Sequence, residues 1–311
     1  MQLQTNSQLS QSAAGSTKWQ VWWRLLRPHT LTASFVPVTI GTALALPGGQ
    51  FHPDLFFIML LASILIQAST NMFNEYFDFK RGLDHAGSVG IGGAIVRDGM
   101  LPGTVLCLAL SFLGAALLLG LILCFRTTWW LLPIGLLCAL IGYLYSGGPF
   151  PISATPFGEL ISGISMGLVI IAISFFLQTG TVTLKAVLVS IPTSVLIGAI
   201  LMANNIRDLE DDRKNGRRTL AILLNREKAT YFLTGMFAFS YLWILFLVFS
   251  GVVSPWTLTS FASIPLAVRA AKGFFRNTTA EALMPAMVAT AKTNTLFGFF
   301  LAVGLVFQYM L

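Results

Sequence analysis

Residues 55–84 read LFFIMLLASILIQASTNMFNEYFDFKRGLD, an apolar run that passes into a polar segment without an intervening proline. The part from Leu55 to Phe73 is close to the roughly 20 apolar residues that a helix needs to cross a bilayer. Asn74, Asp78 and Asp84 follow at its end. The stretch therefore predicts a membrane-spanning helix that carries oxygen-bearing side chains to one edge of the bilayer.

The composition extends this prediction to the whole chain. Of the 311 residues, 55% are hydrophobic and 10% are charged, whereas about a quarter of the residues are charged in an ordinary soluble domain. Nine apolar runs predict membrane spans. They lie at about residues 30–46, 55–73, 102–125, 129–145, 160–177, 186–203, 231–251, 256–270 and 293–310. We therefore expect an all-α membrane protein, a bundle of about nine transmembrane helices around a central cavity open to the cytoplasmic face.

The basic residues predict the orientation of this bundle. Nine spans counted from a cytoplasmic N-terminus place 17 of the 19 Lys and Arg residues on one side, as the positive-inside rule requires. Residues 1–16 carry no charge and are rich in Ser and Gln, so we expect a disordered tail followed by a single transmembrane domain at residues 17–311. The expected location is the bacterial cell membrane, with contacts to lipid and no nucleic-acid partner.

The first polar segment, residues 71–84, continues the second apolar run. On a helix, Asn71, Asn74 and Asp78 are three or four residues apart and share one face. Asp84 lies beyond Gly82 and is expected to reach back from a loop. This segment therefore predicts a column of oxygen ligands at the cytoplasmic end of a helix.

The second polar segment, residues 204–219, leaves the sixth apolar run in the same way. Asn204, Asp208 and Asp212 are four residues apart, so a continuous helix would align them in one column. An even number of spans separates the two segments, so both are expected to face one another on the cytoplasmic side. The correspondence also suggests an internal repeat.

Opposed columns of carboxylate and amide oxygens suit Mg²⁺, which takes a few protein oxygens and keeps positions for water and substrate phosphate. Two such ions bridged by a diphosphate would match the two segments. Basic residues that would neutralise the remaining phosphate charge are interspersed among the acidic ones. They are Lys80, Arg81, Arg97, Arg207, Arg213 and Lys214.

Other interpretations remain open from these residues alone. Either segment by itself is typical of the solvated end of a span. Polar helix breaks and internal repeats also occur in secondary transporters for anionic solutes, although their sites lie near the bilayer midplane. A scaffold that binds anionic lipid through basic loops is a third interpretation. The matching spacing of both segments on one predicted face favours a diphosphate site.

At these residues the sequence resembles the UbiA superfamily of intramembrane prenyltransferases, whose two aspartate-rich motifs follow the second and sixth helices. NEYFDFKRGLD at residues 74–84 and NNIRDLEDDRKNGRRTL at residues 204–220 are similar to the motifs of the 1,4-dihydroxy-2-naphthoate prenyltransferases, and RPHTL at residues 27–31 also matches that branch. Many members carry a carboxylate where this chain has Gly82, and its displacement to Asp84 favours the naphthoate branch. Glu75 stands where Asp is usual, which leaves its role as a ligand open.

The resemblance implies transfer of a polyprenyl group from prenyl diphosphate to 1,4-dihydroxy-2-naphthoate, with loss of CO₂ and diphosphate, to give demethylmenaquinone. An acceptor such as 4-hydroxybenzoate remains an alternative. The residues implied to be catalytic and to hold Mg²⁺ are Asp78, Asp84, Asp208 and Asp212, with Asn74 as a further metal ligand. Residues expected to bind diphosphate or acceptor are Arg27, Asn71, Lys80, Arg97, Tyr143, Tyr145, Asn204, Arg207 and Lys214. The glycine-rich residues 82–93, which include His85, are expected to form a mobile loop that either covers the site or simply links two helices.

Overall fold

The computed structural model describes residues 18–49, 51–84 and 92–310, which form helices joined by short connections. The predicted tail at residues 1–16 and the part of the predicted loop that contains His85 lie outside the described residues. In chain order the α-helices are α1 (Lys18–Leu26), α2 (Pro28–Ala45), α3 (Pro53–Lys80), α4 (Pro102–Arg126), α5 (Leu131–Leu144), α6 (Gly158–Ser162), α7 (Ile170–Thr179), α8 (Leu184–Arg207), α9 (Leu209–Lys214), α10 (Leu220–Phe249), α11 (Ile264–Arg276) and α12 (Ala280–Met310). A π-helix, Gly163–Val169, joins α6 to α7, and 3₁₀-helices occupy Leu46–Gly48, Ile152–Ala154 and Pro255–Ser263.

The expected all-helical membrane bundle is confirmed, but the count of about nine spans is not. Within the described residues, seven helical segments have the length and apolar composition of a span, namely α2, α3, α4, α6 with α7, α8, α10 and α12. The fourth apolar run forms α5, which has 14 residues and is therefore about 21 Å long, less than the roughly 30 Å of hydrocarbon in a bilayer. The eighth run forms the 3₁₀-helix Pro255–Ser263 and α11, which carries three basic residues among its 13.

The largest apolar core joins α2, α7, α8, α10, α11 and α12, and a second core lies between α1, α3 and α4. Small residues allow the backbones to approach closely, as is usual between membrane helices. At Gly41 in α2, for example, an added Cβ would lie 2.5 Å from the carbonyl oxygen of Ile171. The tight packing fixes the rotation of each helix and hence the direction of its polar side chains.

The polar segments lie at one end of this bundle. Helix α3 ends at Lys80, where Arg81 is the C-cap and Gly82 adopts φ +70°, a conformation that glycine adopts without strain. Helix α8 ends at Arg207, and Arg217 beyond it forms an ion pair with Asp78 of α3. The end of the bundle at which α3 and α8 terminate is called the site face below.

Candidate active site

The first polar segment is helical as far as Lys80, as predicted, and its side chains separate into distinct environments. Asn74 Oδ1 accepts a hydrogen bond from the Ser146 hydroxyl, and Asp78 Oδ1 accepts one from Arg217 Nη2 at 2.7 Å. Asp84 follows the turn at Gly82, which is closed by the hydrogen bond from Leu83 N to Asp78 O at 2.9 Å. This turn returns Asp84 to the same cavity as Asp78.

The second polar segment is not one continuous helix, so the predicted geometry of a straight column is wrong. Asp208 adopts φ −89° and ψ 4°, α8 ends before it, and α9 begins after it. The hydrogen bonds from Asp208 N to Asn204 O (3.0 Å) and from Asp212 N to Asp208 O (2.9 Å) nevertheless keep the four-residue spacing across the break. Asn204, Asp208 and Asp212 therefore still line one cavity.

Arg217 connects the two polar segments, and the sequence analysis did not select it. Its Nη2 donates to Asp78 Oδ1 at 2.7 Å and its Nη1 donates to Asp212 Oδ1 at 3.1 Å. Its side chain is 17% exposed. The position of Arg217 beyond Gly216, which has φ +74°, depends on a turn whose direction the sequence pattern does not specify. The two predicted carboxylate walls are thus held together by one guanidinium.

The side chains from both segments line a polar cavity of about 190 Å³ at the site face. Its acidic and arginine residues are Asp78, Asp84, Asp208, Asp211, Asp212, Arg27, Arg97, Arg207 and Arg217. Arg207 binds Asp208 through two hydrogen bonds, from Nε at 2.6 Å and from Nη2 at 2.5 Å. The juxtaposition of carboxylates from both segments that the spacing predicts is therefore present.

Burial and neighbouring negative charge perturb two of these carboxyl groups. Burial raises the pKa of Asp84 to about 6, and the charges of Asp78 and Glu75 act in the same direction. Burial also raises the pKa of Asp212 to about 6, although Arg217 opposes the shift. Burial lowers the pKa of the Arg217 guanidinium, but the adjacent carboxylates outweigh that effect and raise it above its ordinary value. The cavity thus concentrates negative charge where a cation would relieve it.

Glu75, whose role the sequence left open, is buried at the edge of this cavity and is 1% exposed. Its carboxylate accepts hydrogen bonds from Gly93 N (2.8 and 3.0 Å) and Ile95 N (3.2 Å), and it pairs with Arg27 at 3.1 Å. A Cβ at Gly92 would collide with both members of that pair. Glu75 therefore attaches the segment after residue 91 to α3 and orients Arg27. Both carboxylate oxygens of Glu75 are engaged by groups of the protein.

Not every predicted residue reaches the polar cavity. Lys80 is exposed beside it, and Lys214 is exposed and pairs with Asp211 at 3.2 Å. Tyr143 packs edge-on against Phe73 and Phe77 instead of lining either cavity. These placements reflect the rotation of each helix, which sequence spacing alone does not determine.

Asn71 is 3% exposed and has a structural environment. Its Nδ2 donates to Leu26 O at 2.8 Å and to Thr30 Oγ1 at 2.9 Å, and its Oδ1 accepts from Gln67 Nε2 at 3.1 Å. Asn71 thus joins α3 to the connection between α1 and α2. It lines a second, apolar cavity rather than the polar one.

The apolar cavity, of about 240 Å³, extends from the polar cavity into the bundle. Both Asn74 and Met59 line it, and their separation of 15 positions on α3 corresponds to about 22 Å along the helix axis. Six residues border both cavities, so the two are adjacent. They are Arg27, Thr30, Asn74, Tyr145, Leu201 and Asn204.

The π-helix Gly163–Val169 helps to shape the wall of the apolar cavity. Gly163 and Gly167 lie against the backbone of Ser194 in α8, so that no side chain separates the two helices there. Ser165 and Met166 of the same segment line the cavity. A π-turn widens a helix locally and is often found at functional sites.

A buried pair near the junction was also missed by the sequence analysis. Asn205 Nδ2 donates to Glu159 Oε1 at 2.8 Å, and Glu159 is 5% exposed. Glu159 lies at the start of α6 and follows no motif, so neither spacing nor composition distinguished it. The pair connects α6 to the end of α8 immediately beside Asn204.

The oxygen donors of the polar cavity suit a divalent ion that has a further ligand. Among the residues that the structure describes, no three His, Cys, Asp or Glu side chains are close enough to enclose a metal by themselves. The carboxylates of both segments instead line the cavity together with the amide side chains of Asn74, Asn204, Asn205 and Asn215. Mg²⁺ commonly takes one or two carboxylates and completes its coordination with water and substrate phosphate, so this arrangement suits an ion that binds together with a phosphate ligand.

The all-helical membrane bundle thus combines carboxylates at one face with an adjoining apolar cavity, an arrangement that suits an intramembrane enzyme. The sequence matches the UbiA prenyltransferase family over residues 34–302, and the chain belongs to that family. It is 53% identical over 290 residues to the 1,4-dihydroxy-2-naphthoate octaprenyltransferase of Bacillus subtilis, covering 93% of each chain.

Solved structures show the same fold. The UbiA homologue from Aeropyrum pernix K1 superposes with a TM-score of 0.68 at 15% identity, covering 89% of this chain and 98% of the other. The UbiA homologue from Archaeoglobus fulgidus bound to DMAPP and Mg²⁺ superposes with a TM-score of 0.60 at 16% identity, covering 91% of this chain and 99% of the other. At these identities the likeness concerns the fold.

Proposed function

We propose that this chain transfers a polyprenyl group from prenyl diphosphate to 1,4-dihydroxy-2-naphthoate in a Mg²⁺-dependent reaction that yields demethylmenaquinol, the reduced form of demethylmenaquinone. The observation that carries the proposal is the polar cavity lined by carboxylates of both segments and joined directly to an apolar cavity. The substrate assignment is supported by the 53% identical relative, whose name specifies this acceptor.

The diphosphate would occupy the polar cavity. Asp78 and Asp84 on one wall and Asp208 and Asp212 on the other would hold one or two Mg²⁺ ions, with Asn74 adding an amide oxygen. When bound, the metal would stabilise the negative charge that develops on the departing diphosphate. Burial raises the pKa values of Asp84 and Asp212 to about 6, and nearby carboxylates act in the same direction, so both groups are mostly ionised at neutral pH and a bound cation would be favoured there.

The arginines of the cavity would bind the phosphate oxygens that the metal does not. Arg27 is oriented by Glu75, and Arg207 and Arg217 are already aligned by carboxylates. A guanidinium offers several donors in a rigid fork that matches phosphate geometry. These residues would therefore stabilise diphosphate as a leaving group when the bond between the prenyl C1 and oxygen breaks.

The prenyl chain would lie in the apolar cavity, with its reacting carbon at the junction between the two cavities. Tyr145 and Asn204 border that junction, and the ring of Tyr145 would stabilise positive charge on the allylic carbon. The naphthoate ring supplies the electron pair for the new carbon–carbon bond. The ring carboxylate then departs as CO₂, and its bonding electrons restore the aromatic ring.

The site face would be cytoplasmic, because the basic residues of the polar segments lie there and positive residues favour that side of the bacterial cell membrane. Prenyl diphosphate and the aromatic acid would then enter from the cytoplasm. The lipid product would remain in the bilayer.

Product analysis tests this proposal directly. Purified protein would receive Mg²⁺, one prenyl diphosphate, and equal concentrations of 1,4-dihydroxy-2-naphthoate and 4-hydroxybenzoate, and the products would be identified by mass. The expected product is the prenylated naphthoquinol that has lost CO₂. Exclusive prenylation of 4-hydroxybenzoate would overturn the acceptor assignment, and counterflow of solute without diphosphate release would overturn the enzyme assignment.

A further inference from the structure

A groove separate from the two cavities lies between α11 and the beginning of α12. One wall is formed by Pro265, Val268, Arg269, Lys272 and Arg276 of α11, and Ala282, Pro285 and Ala286 of α12 form part of the other. The groove belongs to the site face, because Met284, next to Pro285 in its wall, contacts Arg207 at the end of α8. It thus opens at the end of the bundle where a bilayer surface would lie.

The charge of this groove is not balanced by the protein. Arg269, Lys272 and Arg276 follow one another at intervals of three and four residues, so they share a face of α11. All three side chains are exposed, and none forms an ion pair with any acidic group in the described part of the chain. Three adjacent positive charges therefore face the groove with donors available for an anion.

The lining of the groove also changes from apolar to basic along its length. Pro265 and Val268 line one end of the groove, whereas Arg276 and Asn277 line the other, and the 11 positions from Pro265 to Arg276 correspond to about 16 Å along α11. Val268 and Phe275 are exposed apolar side chains on the same helix, 43% and 48% accessible. An occupant would therefore need an anionic headgroup joined to an apolar chain.

We propose that this groove binds the headgroup of an anionic phospholipid, with its phosphate on the three basic residues and an acyl chain along Pro265 and Val268. A free inorganic anion would satisfy the charges but leave the apolar end uncovered. A basic face at the membrane surface attracts anionic lipid through each Lys or Arg side chain. The site is independent of the proposed prenyl transfer.

Helix α12 connects this groove to the active site. Pro285 and Ala286 face the groove, whereas Met284 and Met287 lie on the other side of α12, where their sulfur atoms contact Arg207 Nη1 at 3.5 and 3.1 Å. Arg207 in turn binds Asp208. A lipid that fixes α12 against α11 would thereby restrict the arginine of the polar cavity.

Lipid binding is tested by native mass spectrometry of delipidated protein titrated with phosphatidylglycerol, phosphatidylcholine or inorganic phosphate. The test variant combines Arg269→Gln, Lys272→Gln and Arg276→Gln. The control variant removes the same charge elsewhere through Lys185→Gln, Lys228→Gln and Lys292→Gln, residues that line none of the three cavities.

Wild type and control are expected to bind a first phosphatidylglycerol with equal affinity, and the test variant is expected to bind it about 100-fold more weakly, since each basic residue contributes about fivefold. Phosphatidylglycerol should also raise the melting temperature of wild type and control but not of the test variant. Equal affinity for phosphatidylcholine would overturn the proposal, as would saturation by inorganic phosphate alone or unchanged binding in the test variant. None of these results depends on prenyl transfer activity.

Discussion

Replacement of Arg217 by Ala removes the guanidinium that joins the two carboxylate walls. Asp78 and Asp212, its partners, are 23% and 10% exposed. Removal of one partner of a fully buried ion pair costs about 3–5 kcal/mol, and the partial exposure of this cluster favours the lower end, about 3 kcal/mol. At about 2–4 °C per kcal/mol for a chain of this size, the melting temperature should fall by about 6–12 °C.

Mg²⁺ should have a larger effect on the Arg217→Ala variant than on wild type. Without the guanidinium the two carboxylates attract a cation more strongly, because a unit positive charge about 5 Å from Mg²⁺ repels it by ~7 kcal/mol at an effective dielectric constant of about 20. Mg²⁺ alone should therefore stabilise the variant more than wild type. Prenyl diphosphate should bind it more weakly, because a phosphate ligand has been lost.

Thermal unfolding in detergent, followed with and without Mg²⁺ and prenyl diphosphate, measures both effects. Arg213→Ala is the matched control, since Arg213 is exposed and its nearest carboxylate, Glu210, is 3.8 Å away. The reasoning is refuted if Arg217→Ala is as stable as Arg213→Ala. It is also refuted if Mg²⁺ raises the melting temperatures of wild type and Arg217→Ala by the same amount.

Three further predictions concern individual carboxylates. Asp78→Asn should reduce the rate of prenyl transfer by about 10²–10³-fold, because it removes charge that would hold the metal. The control Glu210→Gln should change the rate by less than about twofold. Comparable rates in the two variants would contradict the assignment of Asp78 to the active site. Glu75→Gln should lower the unfolding free energy by about 3 kcal/mol, because a buried ion pair is lost. It should leave the Mg²⁺ affinity unchanged. A large loss of Mg²⁺ binding in calorimetry would instead identify Glu75 as a metal ligand. With pKa values of about 6, Asp84 and Asp212 are ionised above that pH and protonated below it. The Mg²⁺ affinity of the folded protein should therefore fall about tenfold per carboxyl group between pH 7 and pH 5. An Mg²⁺ affinity that does not change over this range would exclude their titration.

The sequence predicts the features that depend on local spacing. Asn74 and Asp78 share a helix face because they are four residues apart, and the structure brings both to the polar cavity. The turn at Gly82 that returns Asp84 is also a local feature, because its positive φ favours glycine. The juxtaposition of the two polar segments follows from the even number of intervening runs.

Features that depend on packing could not be predicted from spacing. Arg217 contacts Asp78 across 139 residues of sequence and also binds Asp212, and the direction of its side chain is set by the turn after α9. Lys80 and Tyr143 occur next to site residues but point elsewhere, since the rotation of α3 and α5 depends on contacts with neighbouring helices. The expected count of about nine spans is not confirmed at α5, because apolar composition does not determine the length of a helix.

The central claim is that both polar segments hold one metal–diphosphate complex, and pulsed electron paramagnetic resonance of bound Mn²⁺ tests it most directly. Mn²⁺ replaces Mg²⁺, and a non-hydrolysable prenyl diphosphate analogue supplies the phosphorus nuclei. Wild type and Glu210→Gln should show coupling between Mn²⁺ and ³¹P, and both Asp78→Asn and Asp208→Asn should lose most of it at the same ligand concentration. Full coupling in both Asp variants would contradict the assignment of the diphosphate site to these two segments.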